Sequence, residues 1–129
     1  MPGSKGHSWK ILGIGRGAET AEKAEKYMRE LNFPNAKVIA LQNDKASDDK
    51  FIEILKSDEW DGVSVGGGIN GFDDDFEKEV TTLHWFNRIV NLVHEHAPKA
   101  KLIFVTGPND IADAAERVLG AIETPTETV

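Results

Sequence analysis

The sequence predicts an α/β fold: a three-layer α/β/α sandwich around a four-stranded parallel sheet in the order 2-1-3-4. Three observations carry that expectation. Four short apolar runs, rich in β-branched residues, recur along the chain. Each is apolar nearly throughout, as strands buried on both faces are. Amphipathic stretches follow each run, so strand and helix alternate from end to end. Such alternation implies parallel strands joined by right-handed helical crossovers. The 129 residues read as one domain, 1–129, a usual size for one.

The first run, 9–14, ends in glycines. Thr20 is the expected cap of the helix after it, which sets Ala21, Ala24, Met28 and Leu31 against a face of Glu22, Lys23, Glu25 and Lys26. Pro34 closes that helix, since proline cannot continue the ladder and restrains Phe33. The second run is 37–41. Ser47 is the expected cap of the next helix, with Asp48 and Asp49 at the positive end of the dipole and Phe51, Ile52, Ile54 and Leu55 inward. The third run is 62–65. A long helix should then run from residue 76 or 81 to His96, with Leu83, Phe86, Val90, Val93 and Ala97 as its core face and Pro98 as its stop. The fourth run is 102–105. Asp110 is the expected cap of the last helix, with Ile111, Ala114, Ala115, Val118 and Leu119 inward and Gly120 at its end. The ends, 1–8 and 121–129, lack an apolar period and are expected to be flexible.

Composition excludes several classes of function. With no cysteine, disulfides, thiol catalysis and cysteine-based metal centres cannot form. A net charge of −7 argues against nucleic acid or an anionic membrane surface as partner. No apolar run approaches the roughly 20 residues of a membrane span, and 1–10 lacks a hydrophobic signal region, so a cytoplasmic address is expected.

In open α/β sheets ligands bind beyond the carboxyl ends of the strands, where the strand order reverses. In the order 2-1-3-4 that crevice lies between strands one and three. The loops meeting there are 13–18, 66–71 and, next door, 106–110, all containing glycine. Glycine lets a ligand approach peptide N–H groups closely, and those at a helix start suit an anion. Arg16 adds a forked cationic donor. The expected site for an anionic small molecule, one bearing phosphate or carboxylate, is therefore Gly15, Arg16, Gly17, Gly67, Gly68, Asn70, Thr106 and Asn109. No cofactor is specified.

Gly13-x-Gly15-x-x-Ala18 matches the permissive dinucleotide fingerprint between a strand and a helix. The acidic residue that should close strand two is replaced by Gln42, so a reduced NAD(P)-binding domain is kept only as an alternative. Flavodoxin-type sites resemble this topology but use Ser and Thr in the first loop, where Gly15-Arg16-Gly17-Ala18 has none. Response-regulator receivers resemble it too, but need acidic residues where Gly-Arg-Gly and Gly-Gly-Gly stand. The stretch 60–70 looks like the third block of GDSL/SGNH hydrolases. Their nucleophile position holds Arg16-Gly17, and no Asp-x-x-His follows strand four, so a triad is missing.

His84, at the start of the long helix with Arg88 one turn on, and Asp73 are the candidate acid–base groups. Asp73-Asp74-Asp75 with Glu77 reads as a solvated acidic loop, and no metal site is expected. The segment 66–78 is a candidate lid. Trp85, Ile89 and Leu92 form a second apolar stripe on the long helix, which either pairs two copies of the chain or places Trp85 beneath that lid.

The pattern Asp61-Gly62-Val63-x-Val65-Gly66-x-Gly68, followed by the Trp85–Lys101 pattern WFNxIVNxVHxxAPxAK, resembles a group of small uncharacterised α/β proteins of fungi and bacteria. That resemblance spans the second half of the chain and implies a stand-alone domain with no transferable activity. Two classes of function follow: a small-molecule enzyme, with Arg16 holding an anion and His84 or Asp73 as acid or base, and a non-catalytic, dimeric nucleotide or metabolite binder.

Overall fold

The computed structural model describes residues 8–77 and 79–120. The expected flexible ends lie outside them except for Ser8, whose carbonyl accepts a 3.2 Å hydrogen bond from Asn35 Nδ2. The chain forms β1 (Ile11–Gly15), α1 (Ala18–Glu30), β2 (Lys37–Ala40), α2 (Lys45–Lys56), β3 (Gly62–Val65), a short α3 (Gly67–Asn70), α4 (Val80–His96), β4 (Lys101–Phe104) and α5 (Ile111–Leu119). A 3₁₀ turn, Pro108–Asp110, leads into α5. The four strands are parallel in the order β2-β1-β3-β4, the order the sequence predicts.

Alternate residues of β1 serve opposite layers. Leu12 and Ile14 pack with Phe51, Leu55, Ile89 and Val93 of α2 and α4. Ile11 packs with Ala24, Met28, Ala114, Ala115 and Leu119 of α1 and α5. The chain steps one way from β1 to β2 and back the other way from β2 to β3, so right-handed crossovers put α1 and α2 on opposite faces. That reversal leaves the crevice between β1 and β3 open at the carboxyl ends of the strands.

Local chemistry sets the helix ends, not always where the sequence suggests. α1 begins two residues before Thr20, with Gly17 as its N-cap. It ends in a Schellman motif: Asn32 N–H reaches Arg29 O and Phe33 N–H reaches Met28 O, both at 3.0 Å. Asn32 takes φ 72° there, and buried Phe33 and Met28 share a cluster, the apolar contact this motif favours. α2 is capped by Asp44, not Ser47. The Asp44 carboxylate accepts the Ser47 N–H at 2.8 Å. The Ser47 hydroxyl turns back to accept the Gln42 N–H at 2.9 Å, since at the third helical position it faces the strand end. Asp110 stands at the expected cap of α5, but its carboxylate accepts from Thr106 N–H and Arg117 instead.

α4 corrects the predicted core face. Trp85, Ile89 and Val93 are its buried residues, whereas Leu83 is 62% exposed. Both stripes satisfy helical spacing, and burying the indole removes more apolar surface than burying a leucine. Phe86 instead meets Phe104 edge to face at the sheet margin, 5.2 Å between centroids.

At the opposite end of the sheet, Asp61 accepts the Lys10 N–H and Lys10 Nζ donates to Asp58, both at 2.8 Å. The hydrogen bond to Lys10 holds the Asp58 carboxyl below the usual aspartate value, and the same bond raises the Lys10 ammonium. Among the described residues no helix is long and apolar enough to cross a membrane.

Candidate functional site

A cavity of ≈ 270 Å³ opens beyond the carboxyl ends of β1, β3 and β4, under α1 and the turn into α5. Small residues create it. Gly13 pairs with Val38 on one side and Ser64 on the other, and Gly15 follows on the same face of β1. Ala21 and Ala24 of α1 lie opposite. Side chains this short cannot fill the space between sheet and helix. Val38, Val105 and Ile111 give the walls their apolar character, and Ser64, Thr20, Arg16, Asp73 and Asp75 supply polar groups.

Arg16 follows the last residue of β1. Its guanidinium carbon lies 4.6 Å from the Phe76 ring centroid and 5.5 Å from that of Trp85. Its one hydrogen bond is long, 3.4 Å to Gly68 O, and it pairs with no carboxylate among the described residues. Two aromatic faces thus orient a cation whose donors remain largely free. Gly17, the N-cap of α1, offers no side-chain cap, so the positive end of that helix meets the same cavity.

The glycines divide into two kinds. A Cβ on Gly68 would stand 2.9 Å from Arg16 Cδ and 3.0 Å from Phe76 Cε2, and one on Gly67 would stand 2.6 Å from Thr106 O. Close packing of the loops requires both. Gly15 and Gly107 also line the cavity, yet a Cβ at either would meet nothing within 4 Å. Neither has the positive φ that demands glycine. Their missing side chains leave room.

Five of the eight predicted binding residues therefore converge: Gly15, Arg16, Gly17, Gly67 and Gly68. Asn70, Thr106 and Asn109 do not line the cavity. Asn70 Nδ2 donates to Val65 O at 2.9 Å and Val105 O at 3.0 Å, and its Oδ1 accepts the Phe72 N–H. Both of its amide donors are spent tying the ends of β3 and β4 together. Thr106 and Asn109 are exposed, and it is Gly107 and Pro108 between them that line the cavity.

His84 is exposed and outside the cavity, because the face of α4 that packs inward is that of Trp85. Arg88 is spent on α2 and the loop before it, donating to Asp48 and Asn43. Asp73 does line the cavity, and its Oδ1 accepts the Asp75 N–H at 2.9 Å. The acidic segment is thus part of the cavity wall rather than only a solvated loop.

Trp85, at 2% exposure, and Ile89, at 0%, are buried inside this chain, and Leu92 packs on the same core. That stripe is not available to pair two copies. Trp85 lies beneath Arg16, and Phe76 of the 66–78 segment covers the guanidinium from another side. The Trp85 indole N–H and Asp48 Oδ1 are buried without hydrogen-bond partners. Among the described residues no group of three or more His, Asp or Glu could hold a metal.

Sequence reasoning passed over Ser64, took Asp75 only as part of the acidic loop, and took Phe76 only as a possible start of the long helix. Ser64 had a signal, being the one polar residue in the apolar run Gly62-Val63-Ser64-Val65. Asp75 repeats Asp73 two residues on, and Phe76 had none.

No family model matches the chain, and no curated protein does. The chain is similar in structure to the solution structure of a phosphate-loop protein, with a TM-score of 0.58 and 15% identity over 94% of this chain and 97% of that one. At that identity the likeness shows the fold alone.

Proposed function

We propose that the chain binds a small anionic molecule in the cavity above β1, β3 and β4, with the anion held by Arg16 and the start of α1. The observation that carries this reading is the Arg16 guanidinium, oriented by Phe76 and Trp85 and free of any carboxylate partner among the described residues. An arginine with no ion pair beside an uncapped helix start suits phosphate or carboxylate. Gly15 and Gly107, which neither backbone nor packing requires, support it by leaving space at the rim. The similarity to a phosphate-loop protein favours phosphate over carboxylate. At ≈ 270 Å³ the cavity lies just below the roughly 300–1,000 Å³ of ligand pockets, which favours a compact ligand over a whole dinucleotide. A thermal-shift screen with inorganic phosphate, sugar phosphates and small carboxylates tests the reading. A ligand at a hundred times its Kd should stabilise the wild type by about 2.7 kcal/mol and the Arg16→Ala variant far less. No shift with any anion overturns the proposal.

A further inference from the structure

The cavity has a second polar end that an anion alone would not use. Asp73 and Asp75 line it together with Arg16, yet neither forms an ion pair with that arginine among the described residues. One Asp73 oxygen is held by the Asp75 N–H, and the other has no hydrogen-bond partner among the described residues. Deeper in, Ser64 is 1% exposed, and its hydroxyl makes no hydrogen bond among the described residues. Because Ser64 lines the cavity, its hydroxyl is open to a polar group of a ligand. It leans over Gly13, where a Cβ would stand 3.0 Å from its oxygen. A bare anion would satisfy Arg16 while two carboxylates repelled it.

We infer that the ligand is an anion whose body carries hydrogen-bond donors, hydroxyl or ammonium, directed at Asp73, Asp75 and Ser64. This rests on the anion-binding reading above and adds the chemistry of the ligand's other end. Carboxylates accept hydrogen bonds and donate none, so only a donor satisfies them. The Ser64 hydroxyl can pair with either kind of donor.

Titration calorimetry on the full chain with inorganic phosphate, propyl phosphate, glycerol 3-phosphate and 2-aminoethyl phosphate tests it. At least one of the last two should bind about tenfold more tightly than propyl phosphate, and which one does so distinguishes hydroxyl from ammonium. Asp73→Asn keeps the acceptor for the Asp75 N–H, and Ser64→Ala removes a hydroxyl that bonds nothing, so both variants should fold; a circular dichroism melt checks this. Each should reduce the preference about five- to tenfold and leave inorganic phosphate bound at least as tightly as in the wild type. Equal binding of propyl phosphate and the donor-bearing compounds overturns the inference, as does a preference that survives both substitutions together. If phosphate binds and Arg16→Ala abolishes it while no donor preference exists, this inference falls and the anion reading stands. If no phosphate compound binds, both fall.

Discussion

The Arg16 guanidinium lies 4.6 Å from the centre of the Phe76 ring, so a residue of the 66–78 segment fixes the direction of the cation that follows β1. Cation–π contacts at partly exposed sites contribute about 0.5–1 kcal/mol. Phe76 is 37% exposed, so Phe76→Ala should change global stability little. It should weaken phosphate binding about two- to fivefold by releasing Arg16 from its orientation, and Phe76→Leu should not restore it. Calorimetric titration of both variants with inorganic phosphate measures this, and unchanged affinity would mean that Phe76 only shields the core.

The glycines make opposite predictions on one loop system. Gly15→Ala and Gly107→Ala meet no atom within 4 Å, and each should stabilise the unliganded chain by about 0.4–1 kcal/mol through the unfolded state. Gly67→Ala drives a Cβ to 2.6 Å from the Thr106 carbonyl oxygen, a backbone atom that cannot swing away, and should cost about 1–3 kcal/mol. Urea melts without ligand separate the two groups. Gly15→Val should then lower anion affinity without lowering stability, which a purely structural glycine would not do.

These contrasts show what the sequence could and could not convey. Strand order was legible because four buried strands alternating with helices permit few arrangements. The convergence of Gly15–Gly17 with Gly67 and Gly68 followed from that order alone. Asn70 was misread because a polar residue after a glycine loop looks alike whether it faces a ligand or two backbone carbonyls. The face of α4 was misread because Trp85, Ile89 and Val93 and the Leu83, Phe86 and Val90 stripe share one period, and only the packed sheet selects between them. Ser64 sits on a strand whose apolar neighbours masked it, and its significance depends on Gly13 beside it, a relationship created by register rather than by spacing.

Trp85 fills the core beneath Arg16, so Trp85→Ala should cost about 3–5 kcal/mol, and Trp85→Glu should abolish cooperative unfolding because it buries an unpaired charge. A folded Trp85→Glu chain with altered sedimentation would instead restore the idea of an interface on this helix.

The Lys10–Asp58 link predicts a pH effect with a definite sign. The Asp58 carboxyl is held below its usual value by Lys10, so its contribution is present above the unfolded-state value and is lost as pH falls through the lowered one. Both groups are exposed, so the effect is small and salt-sensitive. The side-chain carboxyl of Asp58, followed by NMR, should titrate at a higher pH in Lys10→Met than in wild type; an unmoved midpoint would separate the two groups in solution.

Asn70 offers the sharpest separation of structure from binding. Its amide donates to Val65 O and Val105 O, carbonyls at the ends of neighbouring strands, while its oxygen accepts the Phe72 N–H. Asn70→Asp keeps the acceptor and removes both donors, setting a carboxylate against two carbonyl oxygens. The Val65 carbonyl keeps the Val105 N–H, but the Val105 carbonyl loses its donor, and a buried carbonyl left unpaired costs about 1–3 kcal/mol, so the variant should melt below wild type. Asn70→Ala should be destabilised too, without the added repulsion. Asn70 itself does not line the cavity, so the fraction that remains folded at low temperature should bind phosphate with wild-type affinity. Loss of affinity in folded Asn70→Ala would return Asn70 to the binding site and move the anion toward β4.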